Sequence, residues 1–298
     1  MKASSAPITS KQLHFTLLDG IVIAFLVALA YWFYYRTATG LNYHWQWLNA
    51  FELIFTSSSN GGTPYFFQGV IATIRLSLWG VIFASIVGVA VGIARLSTIR
   101  FIRIIATTYV QLIRNIPPLV FVFIFYFFIS NQLVPLLGLD TLLRYHSGEI
   151  NGLQMFLFGP SHLWENLVSG VLCVGFISAA YIAEVVRSGY NAVDKGQWEA
   201  SQSLGLSRWS RFRYVIAPQV LAAIVPSLAG QFISLIKDSS IISLISIQEL
   251  TFVGTEIANS SGMVFEIWLL VGLGYLVLCL SISSVFSYIE HRSQRYKR

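Results

Sequence analysis

The sequence predicts an all-α integral membrane protein with six spanning helices. Three observations predict it: an apolar composition with few charges, six apolar runs of spanning length, and a lopsided distribution of basic residues. Of 298 residues, 55% are hydrophobic and 11% charged, and the mean hydropathy is +0.68. Soluble domains carry about 25% charged residues, so charges this sparse cannot cover so much apolar surface in water. A large soluble enzyme is excluded on that ground.

The first run is roughly Leu17–Tyr35 and ends in the aromatic cluster Tyr31, Trp32, Phe33, Tyr34, Tyr35. Such rings favour the headgroup level of a bilayer. The run follows a polar start and lacks a small-residue cleavage site, so it is expected to stay as an anchor. The second run, Phe66–Ala94, is interrupted only by Arg75. The third, Ile105–Ile129, contains Pro117 and Pro118. The fourth is Leu163–Val186, the fifth Tyr214–Ile236 with Pro218 and Pro226, and the sixth Val264–Tyr288. Each approaches or exceeds the ~20 residues that cross hydrocarbon as a helix. The internal prolines read as kinks, because neighbouring helices in a bundle satisfy the freed carbonyls.

Charge fixes the expected orientation. With both termini cytoplasmic, fourteen of the nineteen lysines and arginines fall in cytoplasmic segments, from Lys2 and Lys11 to the tail Arg292, Arg295, Lys297 and Arg298. The outer loops hold only Arg36 and Arg144, and Arg75, Arg114 and Lys237 lie within or beside spans. This is the positive-inside pattern. It accounts for the net charge of +6 as topology and leaves no nucleic-acid role to explain. Cys173 and Cys279 sit in apolar runs and read as small buried hydrophobes. None of the five histidines has metal-ligand spacing, so no metal site is expected. The chain divides into an N-terminal helix with its outer loop (1–65), a transmembrane domain (66–288) and a basic tail (289–298). The stretch from Lys237 to Gly262 alternates polar and apolar pieces and reads as a partly re-entrant or interfacial element on the outer side.

Between the fourth and fifth spans, residues 190–206 form a polar interlude. Val193, Gln197, Ala200 and Leu204 recur at spacings of 4, 3 and 4 and share one face of a short helix, while Trp198 and Ser201 point elsewhere. Gly205 can end that helix in the left-handed conformation, and Ser207 can cap the next turn. Small residues such as Ala200 and Ser201 permit close approach of another surface. An ordinary interfacial loop helix carries the same pattern.

The stretch Glu199–Pro218 (EASQSLGLSRWSRFRYVIAP) resembles the cytoplasmic signature loop of permease subunits from binding-protein-dependent ATP-binding-cassette importers. Further pieces match the polar amino-acid branch of that family in order: Ile113–Leu119 (IRNIPPL), Ala180–Gly189 (AYIAEVVRSG), Lys195–Gly205 (KGQWEASQSLG) and Pro226–Asp238 (PSLAGQFISLIKD). Ser201 stands where the signature usually has alanine, and Val215 and Ala217 where it has isoleucine and leucine. The resemblance implies a MetI-like core of five helices, here preceded by an additional one, in a bacterial inner membrane. It implies a coupling helix at about 190–206, in which Glu199, Ala200, Ser201 and Gly205 meet a groove on an ATPase. Two ATPase subunits, a second permease (identical or related) and an extracytoplasmic amino-acid-binding protein would complete the complex. ATP and magnesium would be used by the partner. This chain lacks a G-x-x-x-x-G-K-[ST] phosphate loop and is expected to bind no cofactor and to have no catalytic residues.

Arg75, Arg114, Glu184, Lys237 and Asp238 are charges in or beside spans, and each should face protein, water or headgroups. They are the candidates for solute or gate contacts. Arg114 reads first as a structural ion pair or gate contact. Glu184 reads as an i,i+3 partner of Arg187, and Lys237 and Asp238 as partly neutralising each other. Arg75 reads as a snorkelling or structurally paired residue, or else as a contact for a solute carboxylate. Alternatives to a polar amino acid are an opine or a sulfur amino acid. An ion-driven secondary transporter is the competing class. The docking helix and the absence of intramembrane acidic pairs argue against it.

Overall fold

A computed structural model describes residues 17–40, 43–57, 62–136, 138 and 152–294. Lys2, Lys11, Arg144, Arg295, Lys297 and Arg298, counted above for topology, lie outside the described residues. Among the described residues, six helical stretches are long and apolar enough to cross a membrane. The chain separates into two compact units, one ending at Trp47 and one beginning at Leu48.

In the first unit, α1 (Leu17–Gly40) is apolar on every side and exposed along nearly all its length. A helix with no polar face belongs in lipid or inside a larger protein. Thr37 folds its hydroxyl back onto the carbonyls of Phe33 and Tyr34, at 3.1 and 2.8 Å. Beyond α1 the chain stacks Trp45 between Tyr34 (4.8 Å between ring centroids) and Trp47 (5.6 Å), which extends the aromatic cluster the sequence showed.

The short α2 (Trp47–Phe55), which belongs to the second unit from Leu48 on, precedes α3 (Tyr65–Ala94) and α4 (Arg100–Asn115). The expected third span differs. A kinked helix over 105–129 was expected; instead α4 stops, Ile116 and Pro117 are extended (ψ 133° and 134°), and α5 (Pro118–Ile124) begins afresh. A proline disfavours helical geometry in the residue before it, and two in succession impose this on Ile116 and Pro117 together. Pro118 then sits at the first helical position, where its missing N–H costs nothing. A π-helical turn (Phe125–Ser130) joins α5 to α6 (Asn131–Leu136), and the span is Pro118–Leu136. α4 is amphipathic, burying Ala106 and Val110 and exposing Arg100 and Arg103.

The short α7 (Gly152–Phe158) leads into α8 (Trp164–Asn191). α3 and α8 lie side by side and run parallel: Leu76 nears Gly170, Phe83 nears Gly175, Ile182 nears Gly88 and Val186 nears Gly92. The absent side chain at Gly88 makes this approach possible. A Cβ there would stand 2.7 Å from Ile182 Cβ and 2.9 Å from the Ala179 carbonyl. Small residues at such seams let helices meet backbone to backbone. After α9 (Lys195–Ser203), α10 (Arg208–Arg211) and a π-helical turn (Phe212–Ile216), α11 (Ala217–Asp238) returns antiparallel to α8. Its Ile224 fills the space beside Gly189, and its Leu235 reaches Gly80. Leu76, Ala84, Ile177, Ile182, Leu235 and Ile242 form the buried centre.

Of the two expectations for the segment after the fifth span, re-entrant or interfacial, its deep packing fits the first better. A 3₁₀ turn (Ser239–Ile245) continues α11, Ser246 takes a left-handed conformation (φ 61°), and α12 (Leu250–Ser261) follows. Ile242 and Leu250 are fully buried. Gly262 (φ 75°) closes α12 before the last span, α13 (Val264–Gln294). The alternation of polar and apolar pieces reflects a helix–turn–helix set into the bundle: Ile242, Ile245 and Leu250 enter the core, and Glu249 caps the second helix.

Candidate functional site

The parallel pairing of α3 and α8 brings their C-termini to one end of the second unit, where α9 also lies. Asp194 starts α9, its Oδ1 accepting the Gly196 N–H at 2.6 Å. Gly205, at φ 71°, ends it, donating to the Gln202 carbonyl at 2.9 Å. Ser207 then caps α10 by accepting the Ser210 N–H at 3.2 Å, as the sequence suggested. Residues of opposite tasks alternate along α9. Trp198 packs on Tyr190 (5.2 Å between centroids), and Ser201 is only 2% exposed, donating its hydroxyl to the Trp198 carbonyl at 2.9 Å. Gln197, Glu199, Ala200 and Leu204 are exposed. Val193, expected on that exposed face, precedes the helix and is buried in the core. Glu199, Ala200 and Gly205 thus offer surface, whereas Ser201 is part of the root that holds α9 in place.

Above α9 sits a cluster of charges. Glu184 accepts from Arg95 at 2.5 Å and from Arg187, and Arg114 stands 3.4 Å away. Arg114 also lies over the Tyr181 ring at 5.6 Å. The i,i+3 pair with Arg187 was expected. Arg95 and Arg114 come from the ends of α3 and α4, so one carboxylate joins three helices. Three guanidiniums face one carboxylate, leaving an excess of two positive charges. The cluster opens on a cavity of about 300 Å³ lined by Arg114, Tyr181, Glu184, Ser188, Ser227 and Gln231.

The other in-span charges lie elsewhere. Lys237 and Asp238 end α11, at the opposite end from Glu184, and exposed Lys237 borders a separate hollow with Ser240, Thr251, Trp268 and Tyr275. Arg75 donates to the carbonyls of Phe156 (2.8 Å) and Met155 (2.9 Å) at the end of α7. Its guanidinium is engaged by backbone and does not join Arg114 and Glu184.

One residue was not singled out in the sequence. Glu249 is fully buried and caps α12, accepting the Phe252 N–H at 2.9 Å and the Tyr275 hydroxyl. The Leu250 N–H donates to Thr73 Oγ1 at 3.0 Å, tying the same turn to α3. Burial raises the Glu249 carboxyl above the ordinary range, against the opposing pull of these hydrogen bonds. The sequence signal was weak: acidic residues favour helix starts, but glutamate is not among the usual N-cap residues.

The six apolar spans, the capped helix α9 and the arginine-rich cluster near it belong to a polytopic membrane protein. Residues 80–295 match the family model described as binding-protein-dependent transport system inner membrane component. The glutamine transport system permease protein GlnP of Escherichia coli (strain K12) is 31% identical over 229 residues, covering 77% of this chain and 93% of that protein. The probable glutamine ABC transporter permease protein GlnM of Bacillus subtilis (strain 168) is 29% identical over 230 residues, covering 77% and 94%. A solved amino acid ABC transporter, crystallised with histidines, superposes with a TM-score of 0.61 at 30% identity, over 77% of this chain and 94% of that one. The chain belongs to the family of binding-protein-dependent transport system inner membrane components.

Proposed function

We propose that this chain is the membrane-spanning permease subunit of an ATP-driven importer for polar amino acids. The observation that carries the reading is α9: a short helix capped at both ends and rooted by Trp198 and Ser201, with Glu199 and Ala200 facing outward. A rigid rod with small exposed residues suits a surface that must receive force from a separate motor. In this reading Glu199, Ala200 and Gly205 meet an ATPase subunit, and Ser201 holds the rod to the bundle. Magnesium and ATP belong to that partner. A second permease subunit, two ATPases and an extracytoplasmic binding protein complete the assembly, and both termini are cytoplasmic, as the basic residues favour.

ATP binding then shifts a balance between two arrangements of paired permeases, which requires contacts that differ between them. The Glu184 cluster is suited to that task, since it joins α3, α4 and α8 just before the chain enters α9. The relatives named for glutamine, and the solved transporter holding histidines, favour an amino acid as cargo.

The test is reconstitution. The complex purified with its ATPase, placed in vesicles and supplied with its binding protein, should take up labelled glutamine, histidine or glutamate only when ATP is present on the α9 side. Uptake by this chain alone, driven by a proton or sodium gradient, would overturn the reading.

A further inference from the structure

The short helix α7 (Gly152–Phe158, GLQMFLF) carries no charge. Leu153, Met155 and Phe156 are exposed, at 70%, 44% and 47%. The carbonyl end of a helix leaves its last C=O groups without intrahelical partners, and at a wet surface water supplies them. Here protein groups donate to three of the last four, and the Met155 carbonyl also accepts the Gly159 N–H at 2.9 Å. Arg75 donates from Nε to Phe156 and from Nη2 to Met155, and Trp79 Nε1 donates to Leu157 at 2.9 Å. Beyond the helix, the Gly159 carbonyl accepts from Trp164 Nε1 at 2.9 Å. Phe158 stacks on Trp79 with centroids 5.3 Å apart.

Gly159 completes the arrangement. Its φ of 73° favours glycine, and a Cβ there would stand 2.5 Å from Arg75 Nη1. The backbone thus bends closely around the guanidinium. Arg75 is the eleventh residue of α3, about 15 Å along the axis from Tyr65 at 1.5 Å per residue. Its neighbours Ile74 and Leu78 are exposed apolar residues on that same span. The end of α7 is therefore held well along a spanning helix, at Arg75 and Trp79.

We infer that α7 is inserted in one leaflet of the bilayer, with Leu153, Met155 and Phe156 against lipid chains and Arg75 and Trp79 standing in for water at its carbonyl end. Lipid is the occupant the chemistry fits: Leu153, Met155 and Phe156 are apolar, the helix carries no charge, and the carbonyls of Met155, Phe156 and Leu157 find donors within the protein. Hydrocarbon demands that last feature and water does not. The inference needs membrane insertion only and is independent of cargo and motor.

The test uses the full chain with Cys173 and Cys279 replaced by alanine, in vesicles of phosphatidylcholine and phosphatidylglycerol. Leu153→Cys and Phe156→Cys are spin-labelled singly, and relaxation by oxygen is compared with relaxation by a water-soluble nickel chelate. Both labels should respond to oxygen and be shielded from nickel. Strong nickel access would place α7 in water, and shielding from both reagents would place it against protein; either overturns the inference. Adding Arg75→Met should raise nickel access at position 153 several-fold, whereas Arg75→Lys should raise it less. Unchanged access in the methionine variant would remove Arg75 from the account. If that variant does not insert, the two labels on the Arg75 background decide the matter alone.

Discussion

Arg95 Nη1 and Glu184 Oε2 lie 2.5 Å apart and join the end of α3 to the last turns of α8. The Arg95 side chain is 9% exposed and that of Glu184 is 22% exposed, so the pair is shielded without being sealed from water. Removing one partner from a buried pair costs about 3–5 kcal/mol, and partial exposure lowers this. Glu184→Gln keeps the shape but leaves three guanidiniums facing a neutral amide. We expect a loss of ~1–3 kcal/mol on that scale, read as a lower melting temperature in detergent. In the reconstituted complex, ATP hydrolysis should persist while solute transported per ATP falls. A proportional fall in both would assign Glu184 to stability alone.

Glu199 and Ser201 are two positions apart on α9 and should fail differently. Glu199 is exposed, and surface substitutions usually change stability by within about 0.5 kcal/mol. Glu199→Ala should therefore insert and melt normally while losing ATPase association, measured by co-purification. Ser201→Leu forces a larger side chain into a buried site and should cost ~1–3 kcal/mol. Equal binding by the Glu199 variant and the unaltered chain would take that residue out of the docking surface.

Much of this was legible in the sequence, and the parts that were not share a cause. The spans follow from run length and composition, which are local. The Glu184–Arg187 pair follows from i,i+3 spacing. Arg95 is 89 residues from Glu184, and only the parallel seating of α3 on α8 brings the two together. Arg114 joins through the same tertiary packing. Ser201 points away from the Gln197–Ala200–Leu204 face, as its spacing indicates, but the expectation that it presents a small residue to a partner along with Ala200 misses its burial, which depends on Tyr190 and Trp198 packing beneath it. Val193 had the right spacing yet fell outside the helix, because Asp194 sets the start. The break at Pro117–Pro118 was the reverse case: a local rule prevailed where a bundle-tolerated kink was expected.

Gly88 is the tightest point of the α3–α8 seam in which a neighbouring backbone atom takes part. Gly88→Ala places its methyl against Ile182 Cβ and the Ala179 carbonyl. A carbonyl cannot rotate away as a side-chain tip can, so the helices must separate. Overpacking of this kind typically costs about 1–3 kcal/mol. The expected result is a lowered melting temperature, together with weaker protection of α8 amides from hydrogen exchange. An unchanged melt would show that the seam is looser than its geometry.

Glu249 gives the pH dependence its sign. Its carboxyl titrates above the ordinary range because burial penalises the charged form. The folded state therefore favours the proton more than the unfolded chain does. That contribution is fully present below the unfolded value of about 4.3 and is lost as pH rises through the elevated folded value. Melting temperature should accordingly fall as pH rises above about 4.3, by an amount that Glu249→Gln removes. Glutamine keeps an oxygen for the Phe252 N–H, so the α12 cap survives while the titration disappears. A slope identical in both proteins would mean that other groups set it, and a rise with pH that the substitution abolishes would mean that the hydrogen bonds from Tyr275 and the capped turn outweigh burial.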